Sequence, residues 1–411
     1  MAKTVTLDGL ALGWAQAQFR SYYEANPPPP PHRLDRREFA AFPFGAEMSM
    51  RRHTTLRTPE EFQQYLVREV PRHVYYSTAY YRYPAEATMS RKEWLGADLV
   101  FDLDADHLRG AERLSYADQL RLVKTRLLDL VDDFLVGDFG IPPEEMRLVF
   151  SGGRGYHVHV RDERFLPLTS PERRELVDYI QGTGFDARQV VAARHMAVSD
   201  DGTDGALGGR RATVQLREIA PPDAAGWRGR TTRALLAILA RWEGAGPPAA
   251  TEEMVEWGIP KPHARRLAKL LLEEGGVEKI RSSRTLPPMT PALREEFLGA
   301  VVPRAAVEVQ GETDAPVTTD VHRLIRLPGS LHGGTGLRVL PLTRDALERF
   351  DPLRDGPFRS PAGDRVGITL RESVRYPWGD AELEGSLGDA KELPTAAALF
   401  LILRGEASLR A

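Results

Sequence analysis

The chain has 411 residues, a formal net charge of −3 and a hydrophobic content of 42%. This length allows two domains, or one domain with a large insertion, around a sizeable core. The slight negative charge excludes a uniformly basic nucleic-acid coat, and the absence of cysteine excludes disulfides, cysteine-ligated zinc and a cysteine nucleophile.

The N-terminal part of the sequence predicts helices and an aromatic segment. MAKTVTLDGL lacks the apolar core of a signal peptide, and no long apolar run occurs, so we expect a cytoplasmic protein without a membrane segment. Residues 8–24 predict an amphipathic helix, and residues 58–67 predict a second helix in which Thr58 and Glu61 match the capping-box spacing. The tyrosine-rich residues 74–84 predict either a base-stacking surface or a strand packed on the core.

The stretch WLGADLVFDLDADH, residues 94–107, predicts a buried strand that ends in acidic residues. Because side chains alternate along a strand, Asp102 and Asp104 should share one face. Carboxylates so close raise each other's pKa unless a cation lies between them, and Mg²⁺ and Mn²⁺ prefer oxygen ligands. We interpret the pair as half of a metal site. The alternative is a solvated strand face formed by Asp98, Asp102, Asp104 and Asp106.

A calcium-binding loop at the same place is disfavoured. Such a loop needs Gly at its sixth position and Glu at its twelfth, where this sequence has His107 and Arg113.

A second apolar strand, residues 146–150, leads into the sequence SGGRGYHVHV, residues 151–160. The glycines let a phosphate approach the backbone amides, and Arg154 can supply a charged fork to a triphosphate. On the strand after the turn, His157 and His159 should share one face. An ordinary hairpin turn is an equal alternative, and the segment is not a Walker loop because no G-K-[ST] follows.

From about residue 172 to 296 the pattern is mostly helical. We interpret this part as a helical subdomain inserted into an α/β body made of residues 1–171 and 297–411. Residues 311–337 again gather acidic, Arg, Ser and His residues around glycines. The other predicted elements are a helix at 116–135, strands at 337–342 and 365–370, and a helix at 395–404.

Four segments, in this order and spacing, resemble the catalytic (small) subunit of archaeal and eukaryotic DNA primase, and are closest to the archaeal form. They are REF followed by RRH near the N-terminus, DLVFDLDADH, SGGRGYHVHV and DAPVTTDVHRLIRLPGSLHG. The resemblance covers most of the chain, from Arg37 to residues 403–405.

The resemblance implies the archaeo-eukaryotic primase fold, an α/β (α+β) fold with a mixed-sheet body and an inserted helical subdomain. It implies template-directed synthesis of short primers from nucleoside triphosphates on single-stranded DNA, by nucleotidyl transfer with two Mg²⁺ or Mn²⁺ ions. The implied partner is the large (regulatory) primase subunit, in a heterodimer.

The resemblance also implies roles for particular residues. The family's catalytic and metal-binding carboxylates fall on Asp102, Asp104 and Asp314, with Asp320 as the second choice for the third position. Its nucleotide-binding positions fall on Ser151, Arg154, His157, Arg326, Ser330 and His332. An acidic residue and an arginine near the family's N-terminus match Glu38 and Arg52 less closely. Because Mg²⁺ prefers oxygen, His157 and His332 are expected to donate hydrogen bonds to phosphate rather than to bind metal.

Two departures from the family pattern change the expectations. The family usually carries a zinc knuckle of Cys and His after the catalytic strand, but this chain has no cysteine, so we predict no structural zinc. Gly334 stands where many relatives have Lys, which predicts weaker triphosphate affinity or a substitute arginine elsewhere.

Two other functions compete with primer synthesis. A related primase-polymerase of repair or end joining would share the acids and the S-G-x-R-G-x-H turn, but it would usually lack the long helical insertion. A nucleic-acid-binding subunit with an inactive site is disfavoured by the intact Asp102, Asp104 and Asp314. The sequence does not decide between ribonucleotides and deoxyribonucleotides.

Overall fold

The computed structural model describes residues 7–45, 49–108, 110–198, 212–359 and 365–410. The chain divides into two compact units. The first unit comprises the residues up to 132, residues 140–177 and the residues from 312 onward, and the second comprises residues 133–139 and 178–311. The predicted limits of the insertion, 172 and 296, stay a prediction about domain organisation.

The strands are numbered in chain order. They are β1 (Phe39–Phe42), β2 (Arg51–Thr54), β3 (His73–Ser77), β4 (Ala79–Tyr81), β5 (Trp94–Ala97), β6 (Leu99–Asp104), β7 (Met146–Phe150), β8 (Gly155–Val160), β9 (Val191–Val198), β10 (Ala212–Ile219), β11 (Leu324–Arg326), β12 (Leu340–Leu342), β13 (Arg365–Leu370), β14 (Val374–Trp378), β15 (Ala381–Gly385), β16 (Ala390–Pro394) and β17 (Ala407–Leu409).

The helices are numbered in the same way. They are α1 (Gly9–Ala25), α2 (Pro59–Glu69), α3 (Met89–Lys92), α4 (Tyr116–Asp129), α5 (Ser170–Gln181), α6 (Gly226–Ala245), α7 (Pro247–Glu256), α8 (Lys261–Ala268), α9 (Gly276–Ser283), α10 (Pro291–Glu296), α11 (Val302–Glu308), α12 (Ala315–Thr319), α13 (Arg344–Arg349), α14 (Pro352–Asp355) and α15 (Thr395–Arg404). π-Helical turns at Leu130–Val136, Lys269–Glu273 and Phe297–Val301 follow α4, α8 and α10.

Two four-stranded sheets form the centre of the first unit. Their strand orders are β11-β3-β1-β2 and β12-β7-β8-β6, and every one of these pairings is antiparallel. The α/β class is therefore confirmed. The pairings in both sheets run antiparallel, however, where the resemblance implied a mixed sheet.

The predicted acidic strand is β6, at the edge of the second sheet. Leu99, Phe101 and Leu103 are buried on one face, whereas Asp102 and Asp104 are half-buried on the other. The strand is paired with β8 in a register that sets Asp102 opposite His157. Side-chain alternation along these two strands thus brings the two motifs read from the sequence into direct contact.

A buried ion pair ties β1 and β3 of the first sheet to the start of β6. The Arg37 Nη2 donates to the Asp98 Oδ2 at 2.6 Å, and both side chains are almost completely buried. Arg37 also donates to the carbonyl oxygen of Ser77 at 2.6 Å, and the Tyr80 hydroxyl donates to Asp98 at 2.6 Å. Asp98 is therefore part of the core, and the alternative of a solvated strand face is wrong for this residue.

The second unit has a largely helical core. Leu235, Ile238 and Trp242 of α6 are buried against residues of α7, α8 and α11. The antiparallel hairpin β9–β10 also belongs to this unit, and the helical pattern of the sequence did not predict it. None of the helices within the described ranges is long and apolar enough to cross a membrane.

Candidate active site

Three carboxylates from two separate parts of the sequence converge at β6. Asp102 and Asp104 share one face of the strand, and Asp314 comes to them at the start of α12. The backbone N–H of Asp314 donates to the carbonyl oxygen of Asp102 at 2.8 Å, which fixes the two chain segments against each other. His157 from β8 lies with its Nε2 3.5 Å from the Asp102 Oδ1.

The carboxyl group of Asp102 is in an environment that opposes its ionisation. Burial, followed by the negative charges of Asp104 and Asp314, raises the pKa of Asp102 to about 7, although Arg323 and Arg326 act in the opposite direction. Because the Asp314 backbone is hydrogen-bonded to that of Asp102, whereas the Asp320 carboxylate accepts the backbone N–H of His322, we continue to expect Asp314 in the third position.

This donor set fits hard divalent cations. Clustered carboxylate oxygens are the ligands that Mg²⁺ and Mn²⁺ prefer, and the mutual repulsion that raises the Asp102 pKa is relieved by a cation. Within the described ranges, no three His, Asp or Glu side chains are arranged as a ready-made metal site. Metal binding by Asp102, Asp104 and Asp314 therefore stays a prediction, as does the expected lack of structural zinc.

The glycine-rich turn between β7 and β8 is held by side chains on both of its sides. The Ser151 Oγ accepts the backbone N–H groups of Gly153 and Gly155, each at 3.3 Å. Gly152 has a φ of +75°, and a Cβ there would lie 2.7 Å from the Cβ of His332, so only glycine fits this position. The Thr335 hydroxyl donates to the carbonyl oxygen of Gly152 at 2.5 Å and joins the turn to residues 332–336.

Arginines and neutral histidines line the same cavity as the carboxylates. Arg154 forms an ion pair with Asp106, and the Arg326 Nη1 donates to the Nδ1 of His73 at 2.6 Å. Burial, together with the nearby Arg326 and Arg323, lowers the pKa of His157 to about 3. Burial and nearby Arg326 also hold the pKa of His332 well below its usual range. Both imidazoles are therefore neutral and able to donate one hydrogen bond each.

A cavity of about 790 Å³ contains most of these groups. Of the residues predicted from the sequence, seven line it: Asp102, Asp104, Ser151, Arg154, His157, Arg326 and His332. Such a volume is in the usual range for a small-molecule site. The structure thus brings the acidic strand, the glycine-rich turn and the segment that contains Arg326 and His332 to one cavity.

Five predicted residues lie outside the cavity wall. Asp314 touches the site through Asp102, as described above. Ser330 is completely buried and its Oγ donates to the carbonyl oxygen of Leu327 at 2.7 Å, which holds its own turn, and its predicted contact with nucleotide stays a prediction. Asp320 is exposed and accepts the backbone N–H of His322 at 2.9 Å.

Glu38 and Arg52 form an ion pair with each other and are not part of the cavity wall. The buried Glu38 carboxylate accepts the Arg52 Nε at 3.1 Å and the backbone N–H of His53 at 3.1 Å, and the Lys92 Nζ lies 3.4 Å away. Three donors around one buried carboxylate indicate a structural role in the N-terminal sheet.

The sequence patterns did not predict the wall of the cavity that C-terminal residues form. Tyr376 of β14 and Arg404 of α15 line it, together with Tyr116 of α4. The Arg404 guanidinium lies 4.7 Å from the ring centre of Tyr116 and 5.3 Å from that of Tyr376. A readable signal was present: the Gly-Asp pair between β14 and β15 is typical of a tight hairpin, and Gly379 has a φ of +64°.

The Asp102 environment predicts that Asp102→Asn stabilises the metal-free protein at alkaline pH. The carboxyl group of Asp102 loses its proton near pH 4 in the unfolded chain but only near pH 7 in the folded chain. A rise in pH from 4 to above 7 therefore lowers the free energy of unfolding by up to about 4 kcal/mol. We expect the variant to unfold at a higher denaturant concentration than the wild type at pH 8 in EDTA, and at an equal one at pH 4. A variant no more stable at pH 8 would contradict the assigned environment.

Comparisons with known proteins match this chain to one family of sequences. The family model described as DNA primase small subunit matches residues 101–344, which contain Asp102, Asp104, Asp314 and the glycine-rich turn. The chain is 38% identical to the DNA primase small subunit PriS of Methanocella arvoryzae over 95% of this chain and 96% of the relative. It is 39% identical to that of Methanothrix thermoacetophila over 96% and 98%. It is 37% identical to that of Halobacterium salinarum over 92% and 93%.

Proposed function

This chain belongs to the DNA primase small subunit family, and we propose that it joins nucleotides by two-metal nucleotidyl transfer in the cavity that contains Asp102 and Asp104. Primer synthesis as a DNA primase catalytic subunit is the function that family membership supports, and the repair or end-joining alternative is not favoured. The single observation that carries the mechanism is the convergence of Asp102, Asp104 and Asp314 beside an arginine-lined cavity.

In the proposed reaction, the 3′-hydroxyl oxygen of the growing primer forms a bond to the α-phosphorus of a nucleoside triphosphate. The bond between that phosphorus and the oxygen that bridges it to the β-phosphorus breaks, pyrophosphate leaves, and the hydroxyl proton is lost to solvent. Asp102, Asp104 and Asp314 would hold the divalent ions. When bound, these ions would supply activation of the hydroxyl and neutralisation of the leaving group.

The protein's own cations would position the triphosphate. Arg154 and Arg326 present planar guanidinium groups, which bind phosphate oxygens in pairs, and both line the cavity. The neutral His157 and His332 would each donate a hydrogen bond without adding charge. Because Arg154 is paired with Asp106, phosphate binding would exchange one anionic partner for another.

The proposed function is tested by de novo synthesis on a single-stranded DNA template with nucleoside triphosphates and Mg²⁺ or Mn²⁺. We expect short template-complementary products that depend on the metal. Products that do not follow the template, or incorporation in EDTA, would contradict the proposal.

Arg154→Ala should raise KM for the nucleoside triphosphate by about 10–100-fold with a smaller change in kcat, because it removes a charged contact to the bound phosphate. Steady-state kinetics on a primed template measures this effect. Arg154→Lys keeps the charge but not the fork, and it should recover part of the affinity. An unchanged KM in Arg154→Ala would exclude Arg154 from triphosphate binding.

We also propose a partner subunit, a polymerase class and a cellular location for this protein. We expect a heterodimer with the large regulatory subunit, action as a DNA-directed RNA polymerase of the nucleotidyltransferase class, and work in the cytoplasm. Co-purification of the two subunits expressed together tests the first of these expectations.

A further inference from the structure

Two arginines share the sheet face that carries His157, at the far end from Asp102. Arg147 on β7 is paired with His159 on β8, and Arg161, just after β8, donates its backbone N–H to Glu145 at 2.9 Å. These are diagonal positions on one face of an antiparallel ladder, about 7–8 Å apart. Both arginines are half-buried.

The surface below the two arginines consists of uncharged side chains. It is formed by the buried His159 and by Tyr76, whose ring stacks on the imidazole at 6.3 Å and whose hydroxyl lies 3.3 Å from the Nδ1. Burial, together with the nearby His157, Arg147, Arg161 and Arg37, holds the pKa of His159 well below its usual range. The imidazole is therefore neutral and compensates neither arginine.

The acidic side chains nearby do not compensate them either. Three of them are already paired: Asp98 with Arg37 at 2.6 Å, Asp162 with Arg164 at 2.6 Å, and Glu163 with Arg33 at 3.0 Å. Glu145 lies across the ladder from Arg161, yet among the residues that the structure describes neither Arg147 nor Arg161 forms an ion pair. Burial and the charge of Arg161 lower the pKa of Arg147, as expected for cations that lack an anion.

We propose that Arg147 and Arg161 bind a backbone phosphate of the single-stranded nucleic acid on which the enzyme works, an inference that rests on the proposed function. Two partly desolvated guanidinium groups on one face repel each other, and an anion between them removes that repulsion. Their planar donors match the oxygens of a phosphodiester.

The position favours a nucleic-acid strand over the free triphosphate. Neither arginine is in the wall of the cavity that holds Asp102 and Arg154. Arg161 lies four residues along the chain from His157, about 13 Å at the usual rise of a strand, which is beyond the reach of a triphosphate bound at His157. His159 and Tyr76 fill the face between His157 and the two arginines. Only a ligand that also extends outside the cavity, as a nucleic-acid strand does, reaches both places.

The test is the binding of fluorescein-labelled single-stranded DNA by the full chain in EDTA, measured by anisotropy at several salt concentrations. We expect the double variant Arg147→Gln with Arg161→Gln to bind the DNA about 10–100-fold more weakly than the wild type. The steepness of the plot of log affinity against log salt concentration should fall by about 0.7 for each lost phosphate contact. Affinity for a Mn²⁺–nucleoside triphosphate, measured by calorimetry, should stay unchanged. The paired Arg→Lys variant should keep most of the DNA affinity.

The matched control is Arg57→Gln with Arg349→Gln, which removes the same charge from exposed positions in the same unit. Unchanged DNA binding in the Arg147 and Arg161 variant, an equal loss in the control, or a selective loss of triphosphate affinity would each overturn the inference. A thermal unfolding temperature at or above that of the wild type shows that the variant is folded. If the wild type makes no primers but the Arg147 and Arg161 variant binds DNA more weakly than the wild type as expected, the proposed function fails and the phosphate site stands.

Discussion

Replacing Asp102 and Asp104 by Asn, singly or together, is expected to lower primer synthesis by at least about 10³-fold, equivalent to about 4 kcal/mol of transition-state stabilisation. Asn keeps the size of each side chain but removes the charge that would hold the divalent ions. The de novo synthesis assay on single-stranded DNA measures the loss. Because Asp102→Asn also relieves repulsion, the inactive protein should be at least as stable as the wild type without metal.

The third carboxylate provides the matched comparison. Asp314→Asn should lose activity to a similar degree, because Asp314 contributes to the charge around Asp102. Asp320→Asn should stay within about threefold of the wild type, since Asp320 is exposed and hydrogen-bonded to the backbone of His322. Loss of activity in Asp320→Asn with retention in Asp314→Asn would reverse the assignment.

The second large effect is on stability. Asp98→Ala is expected to lower the free energy of unfolding by about 3–5 kcal/mol, because it leaves the buried guanidinium of Arg37 without its counter-ion. Guanidinium-chloride unfolding, followed by the fluorescence of the six tryptophans, measures this change.

The double variant Arg37→Met with Asp98→Leu is the control for this effect. It removes both charges and should lose less stability than Asp98→Ala, since a buried ion pair can be replaced by apolar side chains at little cost. Two outcomes would show that the buried pair does not stabilise the contact of β1 and β3 with the start of β6. One is a loss of less than about 1 kcal/mol in the free energy of unfolding of Asp98→Ala, and the other is a double variant that is less stable than Asp98→Ala.

Local patterns predicted the elements that carry the chemistry. The predicted strands at residues 146–150 and 365–370 and the helix at 395–404 have the bounds of β7, β13 and α15. Thr58 caps α2 by accepting the backbone N–H of Glu61 at 3.2 Å. These features depend on side-chain periodicity and on capping residues a few positions apart, which the sequence displays directly.

The sequence could not show which polar residues the fold would bury. Asp98 and Asp102 look alike in DLVFDLDADH, but Asp98 meets Arg37 from a distant segment, whereas Asp102 faces the cavity. Ser330 and His332 likewise sit two residues apart, and only His332 reaches the cavity. The tyrosines at 76 and 80 are core residues, so the strand alternative was correct for them and the stacking surface was not.

The most direct measurement is the anomalous diffraction of Mn²⁺ in crystals grown with a non-hydrolysable nucleoside triphosphate. Mn²⁺ peaks are expected at about 2.0–2.3 Å from carboxylate oxygens of Asp102 and Asp104, with Asp314 contacting at least one ion and the triphosphate beside Arg154 and Arg326. Mn²⁺ bound away from Asp102 and Asp104, or held by Asp320 in place of Asp314, would contradict the account.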